Sequence, residues 1–158
     1  MSRSTERVAA AAKAAGLAID ILELEVSTKT AREAADVLGI EIDQIAKSII
    51  FRGESTGAAI LFVTAGGNRV DLERAAAVAG EALGKADAAF IREETGFAIG
   101  GVAPIGHAKP VRAYFDPRLA AFGAVWAAAG TPMTMFEAAP EALRVAAGAE
   151  TAAFTEER

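Results

Sequence analysis

The segment Gly100-Gly101-Val102-Ala103-Pro104-Ile105-Gly106-His107 follows the apolar triplet Phe97-Ala98-Ile99. Adjacent glycines let the main chain approach a ligand closely and present successive N–H groups. Amides placed in this way can hold a carbonyl oxygen and stabilise the negative charge that builds on it during acyl transfer. Pro104 stiffens the segment. Taken alone, the stretch is also readable as an ordinary glycine-rich turn. It carries neither Gly-Lys-Ser/Thr nor G-x-G-x-x-G, so nothing marks it as a nucleotide-phosphate loop.

Lys47 stands between a helical turn and the β-prone run Ser48-Ile49-Ile50-Phe51. It is either a lysine balancing a helix C-terminus or a fixed cation at a strand entrance, aimed at an anionic or carbonyl group. His107 is the single imidazole. It is a candidate to bind substrate or move a proton, with a solvated loop histidine as the alternative. No Ser-His-Asp triad can be assigned around it. Ser27 and Thr28 are hydroxyls that could line a pocket, whereas Thr30 reads as a helix cap. Arg69 is a candidate phosphate contact, and Asp71 beside it reads as a cap.

Composition narrows the chemistry. There is no cysteine, which removes disulfides, thiolate metal sites and a thiol nucleophile. One histidine leaves any metal to carboxylates, and no such cluster is visible, so neither a metal nor a cofactor is expected. The net charge of −5 disfavours a duplex-DNA binder. No stretch is long and apolar enough to span a membrane, and Glu6 and Lys13 break the N-terminal run, so a soluble cytoplasmic protein is expected. The length of 158 residues fits a single domain over 1–158. Forty alanines inflate the apolar fraction, so the core must rest on Ile, Leu, Val and Phe.

These candidates need elements to position them. Helices are predicted from Ser4 to Gly16, over Ala31–Leu38 with Thr30 and Glu33 as a capping box, over Leu72–Ala79, over Ala88–Glu94, and from Pro140 to Ala147. Glycines 39, 80, 96 and 148 close the last four. Strands are predicted at Ile19–Val26, in a hairpin over 48–64, and at Phe97–Ile99, Val111–Phe115, Ala124–Ala128 and Met133–Glu137. Ile42–Ala46 reads as a short helical turn, and Thr151–Glu157 as an edge strand or a frayed tail. Interleaved helices and hairpins give a mixed α/β (α+β) class, a mixed sheet with helices packed on it.

Four segments in order carry a resemblance: Ser27-Thr28-Lys29-Thr30-Ala31, Ile45-Ala46-Lys47-Ser48-Ile49-Ile50-Phe51, Asn68-Arg69-Val70-Asp71-Leu72, and Thr95 through His107 with its Gly-x-x-x-Pro at Gly100–Pro104. The chain resembles the YbaK/EbsC family, which is related to the editing domain inserted in bacterial prolyl-tRNA synthetase. The resemblance runs from about Val8 to Glu156. It implies a curled mixed sheet, partly barrel-like, flanked by helices. It also implies a trans-editing hydrolase that deacylates mischarged aminoacyl-tRNA, typically tRNA for proline carrying Ala, Cys, Ser or Thr. Lys47 matches the family's required lysine, Gly100, Gly101 and Pro104 match its substrate loop, and His107 falls at a more variable position. The implied partners are the acceptor end of aminoacyl-tRNA and, further, prolyl-tRNA synthetase.

An aminoacyl ester is already activated, so water needs orientation and charge stabilisation more than a strong nucleophile. On this view the amides of Gly100 and Gly101 hold the acyl carbonyl. Lys47 anchors the terminal phosphate or the carbonyl region, and the ribose hydroxyl assists the water. Contact with tRNA also needs cations, for which Arg52, Arg69, Arg74, Lys85, Arg92, Lys109, Arg112 and Arg118 are available. Two other function classes compete: a module that binds an acceptor end or small ligand without turnover, and a non-catalytic partner of a synthetase.

Overall fold

The computed structural model describes Met1–Arg158. Four of its five helices begin and end where short-range signals place them, and α1 departs at both ends. In α1 (Arg3–Ala14) the cap is Ser2, whose side chain accepts from the Thr5 amide, so the helix starts earlier than Ser4 suggests. Thr30 and Glu33 form the capping box of α2 (Ala31–Leu38), and Gly39 closes it in the left-handed region. Asp71 and Gly80 bound α3 (Leu72–Ala79), and Asp87 and Gly96 bound α4 (Ala88–Thr95). Pro140 opens and Gly148 closes α5 (Pro140–Ala147). No helix is long and apolar enough to cross a membrane.

The strands make two sheets. β2 (Ala46–Gly53) and β3 (Ala59–Ala65) form the expected antiparallel hairpin, with Ala46 opposite Ala65 and Arg52 opposite Ala59. β4 (Leu83–Lys85) joins the outer edge of β2 only at Phe51–Gly53. β5 (Arg112–Phe115) lies parallel to β3, and β8 (Ala149–Thr151) parallel to β5. The second sheet has the order β1 (Ile21–Glu23), β7 (Thr134–Ala138), β6 (Val125–Ala128), all antiparallel.

The mixed α/β class holds, but one curled, partly barrel-like sheet is corrected to two open sheets. Main-chain pairing between them is a single parallel bridge, Ile45 to Trp126, beyond which they pack only through side chains. Phe97–Ile99 is not a strand, because the left-handed Gly96 and Gly100 turn the chain at both ends. Phe97 instead sits fully buried in the main core, with the Arg7 guanidinium 4.7 Å above its ring.

β3 is buried along its whole length and separates two cores. On one face Leu61, Val63, Phe115 and Ile50 pack with Val8 of α1, Ile91 of α4, and Val125 and Phe136 of the second sheet. On the other face Ile60, Phe62 and Tyr114 pack under Ala75 and Ala79 of α3 and under Phe154. A third cluster seats Ala34 and Ala35 of α2 on Ile45 and Met135. The alanine-rich helices pack closely, and the branched and aromatic residues supply the buried area.

Candidate active site

Where the two sheets part, they leave a cavity of about 590 Å³ between β2, the first turn of α2 and the loop after Ile99. Lys47 and Gly100 both line it. Ile45, Ile91, Val102, Ala128 and Met135 make an apolar wall, and Lys29 and Arg32 stand at the exposed side. No carboxylate and no histidine lines the cavity.

Lys47 enters from the start of β2 and is half-buried. Its Nζ donates to the Gly66 carbonyl at 3.2 Å. Burial lowers its pKa, Arg69 lowers it further, and Asp116 and Asp43 act in the opposite direction. The Gly66 carbonyl is held in turn by a clamped loop. Asp43 accepts from the Gly67 amide at 2.9 Å, and Asp116 accepts from the Ala65 amide at 3.0 Å and the Asn68 side chain at 2.8 Å. A side chain at Gly66 would strike the Ile42 carbonyl, so this loop requires glycine there.

Asp43 is 6% exposed and binds two guanidinium groups, Arg118 Nε at 2.9 Å and Arg158 Nη2 at 2.6 Å. Burial alone would raise its pKa, but the bonds from Arg158, Arg118 and the Gly67 amide outweigh it and hold the carboxyl below its ordinary value. A depressed folded-state pKa means that stability is present above the unfolded value and is lost as pH falls through the folded one. Asp43→Asn should therefore cost about 2 kcal/mol at pH 7, allowing for screening at the half-exposed arginines. Its melting temperature should also fall less steeply than that of the wild type on acidification below about pH 4. Parallel acid titrations followed by circular dichroism check both outcomes.

The other predicted residues separate. Thr28 lines the cavity but is committed, its hydroxyl donating to the Pro132 carbonyl at 2.9 Å. Ser27 is exposed and outside the cavity wall. Pro104 is buried behind it. Arg69 also lies outside the wall, 3.9 Å from Glu156, and reaches the site only through its charge on Lys47. The His107 Nε2 pairs with the Ala103 carbonyl at 2.7 Å, and its ring meets the edge of Phe97. Burial lowers its pKa, the Ala103 contact opposes this, and Arg7 adds to the lowering. It ties down the glycine loop from behind rather than facing the cavity.

The paired-amide expectation needs correction. The Gly101 N–H donates to the Ala98 carbonyl at 3.0 Å and closes a turn, so only Gly100 of the pair borders the cavity. Nor do the eight anticipated cations line it. Arg112 pairs with Glu81, Lys109 with Glu94, Arg118 with Asp43, and Arg74 with the Thr155 carbonyl. The cations in the wall besides Lys47 are Lys29 and Arg32, which sequence reasoning missed. Lys29 precedes the capping box of α2 and Arg32 lies inside it, the one signal that could have drawn attention to them.

A family model described as an aminoacyl-tRNA editing domain matches residues 25–146. The chain belongs to this family. As an aminoacyl-tRNA editing domain it is a hydrolase that removes the amino acid from mischarged tRNA. The editing domain is 35% identical over 78% of each chain to the uncharacterised YwhH protein of Bacillus subtilis (strain 168). It is also 30% identical to EbsC of Enterococcus faecalis (strain ATCC 700802 / V583), over 72% of this chain and 70% of that one. EbsC is provisionally described as a Cys-tRNA(Pro)/Cys-tRNA(Cys) deacylase. Among solved structures, one provisionally described as a trans-editing enzyme for prolyl-tRNA synthetase superposes with a TM-score of 0.92. It is 44% identical and covers 99% of both chains.

Proposed function

We propose that this editing domain clears a small wrong amino acid from tRNA for proline, acting in trans in the cytoplasm alongside prolyl-tRNA synthetase. The observation that carries the reading is that Lys47 and Gly100 border one cavity whose wall holds no histidine or carboxylate to activate a hydroxyl as a nucleophile. The described activities of EbsC and of the trans-editing structure point to the same substrate class.

The division of labour follows from burial. Lys29 and Arg32 are exposed, without carboxylate partners, and suit the hydrated phosphates of the acceptor end. Lys47 is half-buried, where a charge acts through a lower dielectric, and with the Gly100 main chain it faces the ester carbonyl. Water, oriented by the ribose hydroxyl, adds to the carbonyl carbon. The bond from that carbon to the ribose oxygen then breaks. The leaving oxygen takes a proton, and free amino acid and uncharged tRNA result. The apolar wall at Ile45, Ile91 and Met135 limits the side chain admitted. A methylene difference gives a synthetase only about 10- to 200-fold discrimination, which is the gap that editing closes.

The test is a deacylation panel of alanyl-, seryl-, threonyl-, cysteinyl- and prolyl-tRNA for proline. Wild type should clear at least one small ester and spare prolyl-tRNA. Release of none of them would overturn the reading. In the same panel Lys29→Glu combined with Arg32→Glu should lower kcat/KM about tenfold and flatten its dependence on salt.

A further inference from the structure

The cavity contains an open strand edge. In β2 the Gly53 amide donates to the Ala58 carbonyl and the Glu54 amide to the Ala82 carbonyl, at 2.9 and 2.8 Å. Main-chain groups alternate in direction along an antiparallel strand. Lys47, Ile49 and Phe51 therefore turn their N–H and C=O towards β3, and Ser48 turns its own pair away from it. No strand meets Ser48 on that side. β4 pairs with β2 only from Phe51 onward, and the bridge to β6 is at Ile45. Ser48 lines the same cavity, and its hydroxyl is buried without a hydrogen-bond partner in the protein. An unpaired buried hydroxyl costs about 1–3 kcal/mol, and few are retained without a reason.

The polar group that every candidate aminoacyl ester presents besides the ester itself is the α-amine, which donates hydrogen bonds. The charged groups of the cavity are Lys29, Arg32 and Lys47, all donors, and no carboxylate stands among them. Of the other hydroxyls in the wall, Thr30 both donates to and accepts from Glu33, and Thr28 is held in place by donating to the Pro132 carbonyl. Unused acceptors gather at Ser48. We propose that Ser48 holds the α-amino group of the aminoacyl ester, its hydroxyl and main-chain carbonyl accepting the amine N–H groups. Neutral acceptors among cations favour the free amine over the ammonium form. An amine fixed on β2 sets the ester carbonyl towards Lys47 and leaves the side chain to the apolar wall. This assignment rests on the editing reading above and adds its amino-group subsite.

The experiment compares the mischarged tRNA that wild type clears fastest with the counterpart in which hydrogen replaces the amino group, propionyl-tRNA in place of alanyl-tRNA. Wild type should favour the amine substrate about 10- to 100-fold in kcat/KM, the range expected when a buried polar site loses its partner. Ser48→Ala should reduce that preference at least about fivefold, and Ser48→Thr, which keeps a hydroxyl, should retain it. A wild type indifferent to the amine would overturn the assignment while leaving the editing reading intact. An unchanged preference in a folded Ser48→Ala would do the same. Should Ser48→Ala melt early, Ser48→Cys carries the comparison with a weaker acceptor of similar size. No hydrolysis of any mischarged tRNA by wild type would instead overturn the editing reading, and this assignment with it.

Discussion

Replacing Lys47 with methionine should leave the protein folded and lower kcat/KM for deacylation about 100- to 1000-fold, the loss seen when one charge-stabilising donor is removed from an acyl-transfer site. The side chain is half-buried, and its hydrogen bond within the protein is the one to the Gly66 carbonyl. Methionine replaces the unbranched stem up to its last atom and removes the charge with little change in packing. The Gly66 loop stays clamped by Asp43 and Asp116. Lys47→Arg should not restore activity, because a planar guanidinium cannot occupy the place of a compact ammonium in a walled site. Single-turnover deacylation with a melting curve for each variant measures both halves of the expectation. A folded Lys47→Met retaining more than about a tenth of wild-type activity would remove the ammonium group from the mechanism.

Position alone leaves Lys47 open between a helix-end lysine and a strand-entrance cation; the family resemblance singles it out, and the structure places it on the cavity wall. Helix limits were legible in the chain: Thr30 with Glu33, Asp71 with Gly80, and Pro140 with Gly148 act over a few residues, within the reach of local sequence. Pairing is non-local and was less so. The predicted Ile19–Val26 strand shrinks to Ile21–Glu23, because β1 has β7 as its one neighbour. β4 escaped notice because Leu83-Gly84-Lys85 is short and centred on a glycine. The parting of the two sheets depends on where β6 meets β2, about eighty residues away in the chain, and no local pattern encodes it. The cavity, the open edge at Ser48, and the rim cations Lys29 and Arg32 all follow from that parting. On a sequence, Lys29 and Arg32 look like any solvated charges near a helix start.

Gly101 shows how a correct signal can carry the wrong chemistry, and its substitution should be the second large effect. The pair Gly100-Gly101 suggested two free amides, yet the two residues do different work. A Cβ at Gly101 would lie 2.6 Å from Thr131 Cα and 2.8 Å from its N and C, all main-chain atoms of the turn before β7. Backbone cannot swing aside as a side-chain tip can, so Gly101→Ala must push two loops apart. One of these carries Gly100 on the cavity wall, and the other carries Pro132, whose carbonyl holds Thr28. The expected cost is about 1–3 kcal/mol of stability from overpacking. Deacylation should fall at least about 100-fold, because an ångström of displacement at a reacting centre is enough for that. At Gly100 the balance differs. Its φ of +92° strains any side chain, but a Cβ there would meet only Lys29 Cγ at 3.3 Å and Pro132 Cγ at 3.5 Å, and the lysine stem can yield. Gly100→Ala should therefore cost about 1–2 kcal/mol from the strained φ and lower activity less than Gly101→Ala does. Denaturant melts and single-turnover rates of the two variants give the ranking. A Gly101→Ala protein as stable and active as wild type would mean that the Thr131 turn does not fix the loop, and Gly100 would then lose its defined place beside Lys47.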